Sequence, residues 1–341
     1  MDFDSIWQRF RADLEEELKF AIGKASLPMY NMMRYHLGWV SDSGQSRSGA
    51  AGKRLRPFLC LHACESVGGQ WQQALPVAAA LELVHNFSLV HDDIQDESYE
   101  RRGRPTVWSL WGMPQAINVG DGMHALALSS LLRLEESGVS HEKVVRASRL
   151  LGEASLKLCE GQYLDISYEG RLYVGVGDYL EMISGKTAAL FRCALEVGAL
   201  IGTDDSQLLA RFRSFGHSLG MMFQVHDDVL SIWGECEDTG KSTTSDIEMK
   251  KKTLPIVFAL ENSQGEDREA LMSIYSKDKL TAQDVDEVMA ILARLGARGY
   301  AQDVTNRYLN AALLELDATG ISVAAQDELK TIAEFLLSRK H

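Results

Sequence analysis

The chain has 341 residues, of which 45% are hydrophobic and 24% charged, values that exclude disordered and fibrous classes. A formal net charge of −13 repels nucleic acid and anionic bilayers as a whole-molecule field, so any anion the protein binds has to meet a local basic cluster. Six prolines favour long uninterrupted helices, and five scattered cysteines (Cys60, Cys64, Cys159, Cys193, Cys236) do not form a disulfide framework; the thiols read as reduced and the protein as cytoplasmic.

In chain order, the acidic start MDFDSIWQRFRADLEEELKF is helix-periodic and carries no apolar signal region, and no later run has the roughly 18 apolar residues of a spanning helix. A Gly/Ser break at 41–52 leads into GKRLRP at 52–57. The stretch LPVAAALELVHNFSLV at 75–90 repeats apolar residues at three and four, which predicts a helix buried on most sides, and it runs into HDDIQD. RRGRPT at 101–106 breaks the pattern. KTAALFRCALEVGALI at 186–201 is a second buried helix, VHDDV at 225–229 repeats the VHDDI of 90–94, and KKKTLP closes the series at 250–255. Alternating β-branched runs are missing, so the fold class is all-α, and no break is long enough for a linker, so 1–341 reads as a single domain.

Asp92 and Asp96 stand four apart, which on a helix puts their carboxylates on one face about 5–6 Å from each other, with Asp93 one position round. Three crowded carboxylates after apolar turns call for a bridging cation. Hard oxygen ligands at this spacing suit magnesium, which takes one or two carboxylates and completes its shell with water and phosphate oxygens. An isolated motif of this kind is equally a solvated acidic helix end. The basic clusters shift the balance. Lys53, Arg54 and Arg56, then Arg101, Arg102 and Arg104, then Lys250, Lys251 and Lys252 concentrate positive charge in an acidic chain, as a magnesium–diphosphate site requires. Two decoys drop out. GKT at 185–187 and GKS at 240–242 lack the upstream glycine of a P-loop, and Cys60-Leu61-His62-Ala63-Cys64 has no second ligand pair, so it reads as buried helix.

As an ordered set over 52–255, these motifs resemble the trans-type isoprenyl diphosphate synthases, or polyprenyl synthetases. The resemblance implies an isoprenoid-synthase-type bundle of long helices around an apolar cavity, a homodimer, and a head-to-tail condensation of isopentenyl diphosphate with an allylic diphosphate. It implies that Lys53, Arg56 and His85 hold isopentenyl diphosphate with Arg102 beside them. Asp92 and Asp96 bind magnesium on the allylic side and Asp227 binds a further magnesium from across the cavity, three ions in all once diphosphate is bound. Arg101, Lys186, Lys241 and Lys251 grip the allylic diphosphate, and Thr187 and Gln224 place oxygen dipoles near the forming cation. Lys186, Thr187 and Gln224 are then the catalytic set. No side-chain base stands out, so the released diphosphate takes the last proton.

There are departures from the family pattern. The second acidic motif reads Asp227-Asp228-Val229-Leu230-Ser231, with serine for the last aspartate; Lys250 stands where a glycine is usual, and Ala51 replaces the first glycine of the family's GGKR. Phe87, five before Asp92, with the small Ser88 beside it, resembles the geranylgeranyl-producing type, with a farnesyl product next; a ring packed on a neighbouring helix is the plainer reading of Phe87. A class I terpene cyclase and a weakly active partner subunit of a heteromeric synthase are the alternatives. The cyclase needs no isopentenyl site, and Ser231 is what keeps the partner subunit in view.

Overall fold

The computed structural model describes residues 2–47, 52, 54–234 and 245–338. They form α1 (Phe3–Ile22), α2 (Pro28–His36), α3 (Leu55–Ser66), α4 (Leu75–Gln95), a hairpin of β1 (Glu100–Arg101) and β2 (Arg104–Pro105), α5 (Val107–Trp111), α6 (Met113–Leu132) and α7 (His141–Glu169). The chain continues through α8 (Val176–Ile183), α9 (Ala189–Gly202), α10 (Ser206–Trp233), α11 (Ser245–Glu248), α12 (Leu254–Asn262), α13 (Gly265–Tyr275), α14 (Ala282–Arg294), α15 (Ala297–Asp317) and α16 (Val323–Ser338). The all-α expectation holds.

Local chemistry explains the helix starts. Asp2 caps α1 by accepting from Ser5 N–H at 2.9 Å, Thr281 and Asp284 form a capping box on α14, and prolines stand in the first turns of α2, α4, α6 and α12, where no N–H is needed. The hairpin turns on Arg102 and Gly103 with φ of 54° and 66°, the two positive values of a type I′ turn. An arginine tolerates the first of these only with strain.

By contact the chain divides into two compact units, Met1–Glu153 with Cys193–Phe212, and Ala154–Arg192 with Arg213–His341. The sequence reads as a single domain because the chain passes between the units inside the unbroken helices α7, α9 and α10, where no linker composition marks the change.

In the first unit α4 packs most extensively on α6, and its residues from Val77 to Leu81 are fully buried. Gly120 of α6 faces the His91 ring so closely that a Cβ would lie 2.2 Å from it. Phe10 meets Phe58, His62 and Trp71 in an aromatic cluster with centroids 5.1–6.2 Å apart. The stretch Trp71–Gln95 has the length and composition of a membrane span, but 78% of its apolar window is buried inside the molecule, as in a core helix. Cys60 and Cys64 are buried there too, and burial pushes the Cys60 thiol well up and that of Cys64 up to about 12.

The second unit has one core around Tyr179, Met182, Val225 and Leu254, and another around Ile256, Val288, Ile291 and Leu292. Between α8 and α9 the helix widens into a π turn, Ser184–Ala188, a feature frequent at functional sites. It is held by a close backbone approach: a Cβ on Gly161 would lie 2.1 Å from Lys186 N, and one on Gly185 would lie 2.7 Å from Lys157 O. The glycine of the P-loop decoy is a packing residue.

Candidate active site

The three basic motifs separate into structural and site-facing charges. Arg54 caps α3 with φ 45°, is 2% exposed, and its guanidinium meets Glu82 at 2.8 Å, Glu15 at 3.0 Å and Leu37 O at 3.2 Å. Arg104 lies over the Tyr35 ring and donates to Tyr35 O and Val40 O. Lys250 occupies a left-handed conformation with φ 53°, the reason a glycine suits this position, and donates to Lys277 O. Lys252 is buried with its ammonium 4.9 Å from the Tyr275 ring, and burial lowers its pKa to about 8. All four are engaged by groups of the protein itself. Lys53 and Lys241 lie outside the described residues, as do Ala51 and Cys236. Lys251 is half-buried between Lys250 and Lys252.

In the first unit, Arg56 Nη1 lies 3.2 Å from His85 Nε2. A guanidinium only donates, so Nε2 accepts and the imidazole proton sits on Nδ1. Burial, followed by the positive field of Arg56, Arg102 and Arg101, pushes the His85 pKa well below 6.5, leaving an uncharged donor beside a cation. Arg102 lies close to Gly52, where a Cβ would meet its guanidinium at 2.7 Å.

A residue that the motifs did not flag joins this cluster. His36, at the end of α2, lines a small cleft with Asp93, Arg101, Arg102 and Thr106, and its Nε2 is buried without a hydrogen-bond partner. Burial and the fields of Arg101 and Arg102 push it down to about 3. Its signal in the sequence is a lone histidine at a helix end, which points nowhere.

The two acidic motifs obey one rule. In each, the second aspartate turns into the protein, Asp93 at 1% exposure and Asp228 at 5%, while the first is left toward solvent. Of the three crowded carboxylates, Asp93 is paired within the protein: it accepts from Arg101 Nε at 2.8 Å, and burial, opposed by that arginine, raises it to about 6. Among the described residues no three His, Cys, Asp or Glu groups converge as a ready-made metal site. Asp92 and Asp96 remain half-buried on successive turns, with Asp96 N–H bonded to Asp92 O at 2.8 Å. Two hard carboxylates on one face fit magnesium, which takes its remaining oxygens from water and phosphate.

In the second unit Lys186 Nζ lies 2.5 Å from Asp165 Oδ2. Thr187 Oγ1 donates to Gln224 Oε1 at 2.7 Å, so these two side chains are hydrogen-bonded to each other. Gln224 Nε2 then donates to Asp228 Oδ1 at 3.0 Å, while Asp228 Oδ2 accepts from the Tyr179 hydroxyl and from Leu254 N–H at 2.8 Å. Burial raises Asp228 to about 7 against the pull of these donors. Asp227 is exposed one position away, and Ser231 Oγ is spent on Asp228 O at 3.0 Å. Tyr179 and Asp165 are not legible in the sequence, since the partners they meet lie 49 and 21 residues away; Asp228 belongs to the second acidic motif, but two of its donors, Tyr179 and Leu254, lie 49 and 26 residues from it.

Phe87 is 8% exposed, and its ring packs edge-on against His124 of α6 at 4.9 Å and His91 at 5.8 Å. Ser88 beside it is buried and donates to His85 O.

Comparison with known proteins agrees. The sequence profile of the polyprenyl synthetase family matches residues 38–292. The chain is 41% identical to a geranylgeranyl diphosphate synthase of Mycobacterium tuberculosis over 92% of its own length and 88% of that protein's. It is 41% identical to a short chain isoprenyl diphosphate synthase of Methanothermobacter thermautotrophicus, covering 86% of this chain and 88% of the other. A crystal structure of a polyprenyl synthetase from Streptomyces coelicolor A3(2) superposes with a TM-score of 0.91 at 35% identity, covering 98% of this chain and all of that one.

Proposed function

The chain belongs to the polyprenyl synthetase family, and on that footing we propose how its residues divide the work. It is a prenyltransferase that makes a short-chain trans prenyl diphosphate. In our reading the acceptor is isopentenyl diphosphate, the donor an allylic diphosphate, and the product geranylgeranyl diphosphate.

The observation that carries the condensation is the Arg56–His85 pair, a guanidinium and a neutral imidazole donor 3.2 Å apart. A cation and an uncharged donor side by side bind a diphosphate without adding a second buried charge. A terpene cyclase, which takes no isopentenyl diphosphate, has no use for such a pair. Lys53 and Arg102 complete this end of the proposal.

On the allylic side, Asp92, Asp96 and Asp227 are the carboxylates that hold magnesium, three ions with the diphosphate bound. Magnesium, when bound, neutralises the charge that builds on the diphosphate as the carbon–oxygen bond breaks. Arg101, Lys186, Lys241 and Lys251 hold the diphosphate oxygens. Arg101 does so with its terminal nitrogens, since Nε is engaged by Asp93, and Asp165 aims the Lys186 ammonium. Thr187 and Gln224 turn oxygen toward the allylic cation, a stabilisation aimed at the charge that develops only in the transition state. The double bond of isopentenyl diphosphate attacks that cation, and the released diphosphate takes the proton.

Met113, Ile117, Leu128 and Leu132 recur along one face of α6 and are 42–59% exposed, which supports a homodimer through that face. Among the described residues Cys60, Cys64, Cys159 and Cys193 are free thiols, which supports a cytoplasmic enzyme. The test is incubation of the purified protein with magnesium, radiolabelled isopentenyl diphosphate and allylic diphosphates of ten and fifteen carbons. Labelled prenyl diphosphate is expected from both; label that stays in isopentenyl diphosphate while the allylic substrate turns into hydrocarbon would establish a cyclase instead.

A further inference from the structure

We propose that Asp228 and Tyr179 are positioning residues that fix the hydrogen-bond polarity of Gln224 and Thr187, so that this pair offers only acceptor oxygens to the allylic cation. The inference rests on the reading that Thr187 and Gln224 face that cation.

A glutamine amide has two faces, one that attracts a cation and one that repels it. Nothing in an isolated Thr–Gln pair decides between them: the hydroxyl can donate to the amide oxygen, or the amide nitrogen can donate to the hydroxyl. In the second arrangement the threonine proton is released, and it points at whatever stands in front. A proton so placed opposes a carbocation and offers it a hydrogen-bonded oxygen of the wrong polarity.

Asp228 removes the choice. Its Oδ2 receives the Tyr179 hydroxyl and Leu254 N–H, and its Oδ1 receives Gln224 Nε2 at 3.0 Å. An ionised carboxylate accepts only, so with Asp228 ionised, turning the Gln224 amide over would set Oε1 against Oδ1, lone pair against lone pair, in a buried site. The amide is held with nitrogen toward Asp228 and oxygen toward Thr187. The single hydroxyl hydrogen of Thr187 is then consumed by Gln224 Oε1 at 2.7 Å. What remains free on Thr187 Oγ1 is lone pairs.

The relay is anchored on separate elements. Tyr179 comes from α8, ahead of the π turn that carries Thr187; Gln224 and Asp228 lie one turn apart on α10; Leu254 is the first residue of α12. The anchored carboxylate also caps that helix, whose first N–H groups have no partner of their own. Such preorganisation costs nothing at the moment of reaction, because the dipoles are already oriented. It also separates the duties of the two aspartates: Asp227 faces out and Asp228 faces in.

The test compares wild type with Asp228→Asn, nearly the same shape but able to donate, and so able to let Gln224 turn over. Each is assayed with an allylic diphosphate and with its analogue fluorinated next to the reacting carbon, which makes the cation harder to form. Asp228→Asn is expected to lower kcat about 10²-fold with KM for both substrates changed less than about 3-fold. It should also enlarge the rate ratio between the unfluorinated and fluorinated substrates, a quantity that a merely structural aspartate would not move. Tyr179→Phe, which removes one donor and keeps Leu254 N–H, should shift the ratio in the same direction by less, and it carries the test if Asp228→Asn does not fold. In a Thr187→Val background, Asp228→Asn should add little further loss, since the end of the relay is already gone. If Thr187→Val lowers kcat but Asp228→Asn leaves kcat and the ratio as in wild type, the relay is overturned. If Thr187→Val itself leaves kcat unchanged, the placement of this pair at the cation is overturned instead.

Discussion

Arg101 Nε sits 2.8 Å from Asp93 Oδ1, and this ion pair takes the middle carboxylate of the first acidic motif out of competition for metal. Two roles follow for adjacent residues. Asp92→Ala or Asp96→Ala should abolish magnesium-dependent turnover while leaving the unfolding free energy from denaturant titration within about 1 kcal/mol of wild type, because half-buried carboxylates on a helix end contribute little to the fold. Asp93→Ala should instead cost roughly 1–3 kcal/mol of stability by stripping Arg101 of its partner. Near wild-type turnover in either of the first two variants would remove the metal assignment.

Ser231 donates its hydroxyl to Asp228 O, one turn along from the exposed Asp227. Ser231→Asp places a third acidic side chain in the motif without disturbing the Asp228 carboxylate. Turnover is expected to stay the same or rise in a steady-state assay at limiting magnesium. A large loss with the melting temperature preserved would mean that the hydroxyl itself has a task in the reaction.

Lys252 is a cation held at a cost. Its folded pKa lies at about 8 because of burial, with Lys250 adding to the effect, against an ordinary value of 10.5. Between those values the unfolded chain holds a proton that the folded chain has released, so stability from this group climbs as pH rises from 8 toward 10.5, and the penalty is present in full below 8. Lys252→Met should raise stability at pH 7 by roughly 1–3 kcal/mol and flatten that alkaline rise. Chemical denaturation at pH 7 and pH 10 checks both; an unchanged slope in the variant would show that another group is responsible.

Charge type was legible in the sequence, and charge direction was not. Helical periodicity marks α4 and α9, and four-residue spacing marks Asp92 and Asp96, because both depend on neighbours along one helix. The fates of Arg54, Arg104, Lys250 and Lys252 depend on groups far along the chain or on a local φ: Glu82 and Glu15 for Arg54, Tyr35 for Arg104, a left-handed turn for Lys250, the Tyr275 ring for Lys252. For the same reason His36, Asp165 and Tyr179 look ordinary as letters. The echo of VHDDI and VHDDV did hold information, since the inward turn of the second aspartate is common to both copies.

Phe87 lies five positions before Asp92, about 7.5 Å along α4, and fills the space against His124. In our reading this ring, with Ser88 beside it, is the floor that the growing tail meets. Phe87→Ala should lengthen the product by at least one isoprene unit, read by chromatography of the dephosphorylated alcohols, at a stability cost of about 3 kcal/mol for the lost ring. A product of unchanged length would assign the floor to another residue.

The central claim is that this chain condenses isopentenyl diphosphate with an allylic diphosphate and stops at twenty carbons. It is tested most directly by supplying wild-type protein with magnesium, radiolabelled isopentenyl diphosphate and farnesyl diphosphate, and sizing the labelled product. One equivalent of label in a twenty-carbon prenyl diphosphate is the predicted result; farnesyl diphosphate left unextended, or a product well beyond twenty carbons, would contradict it.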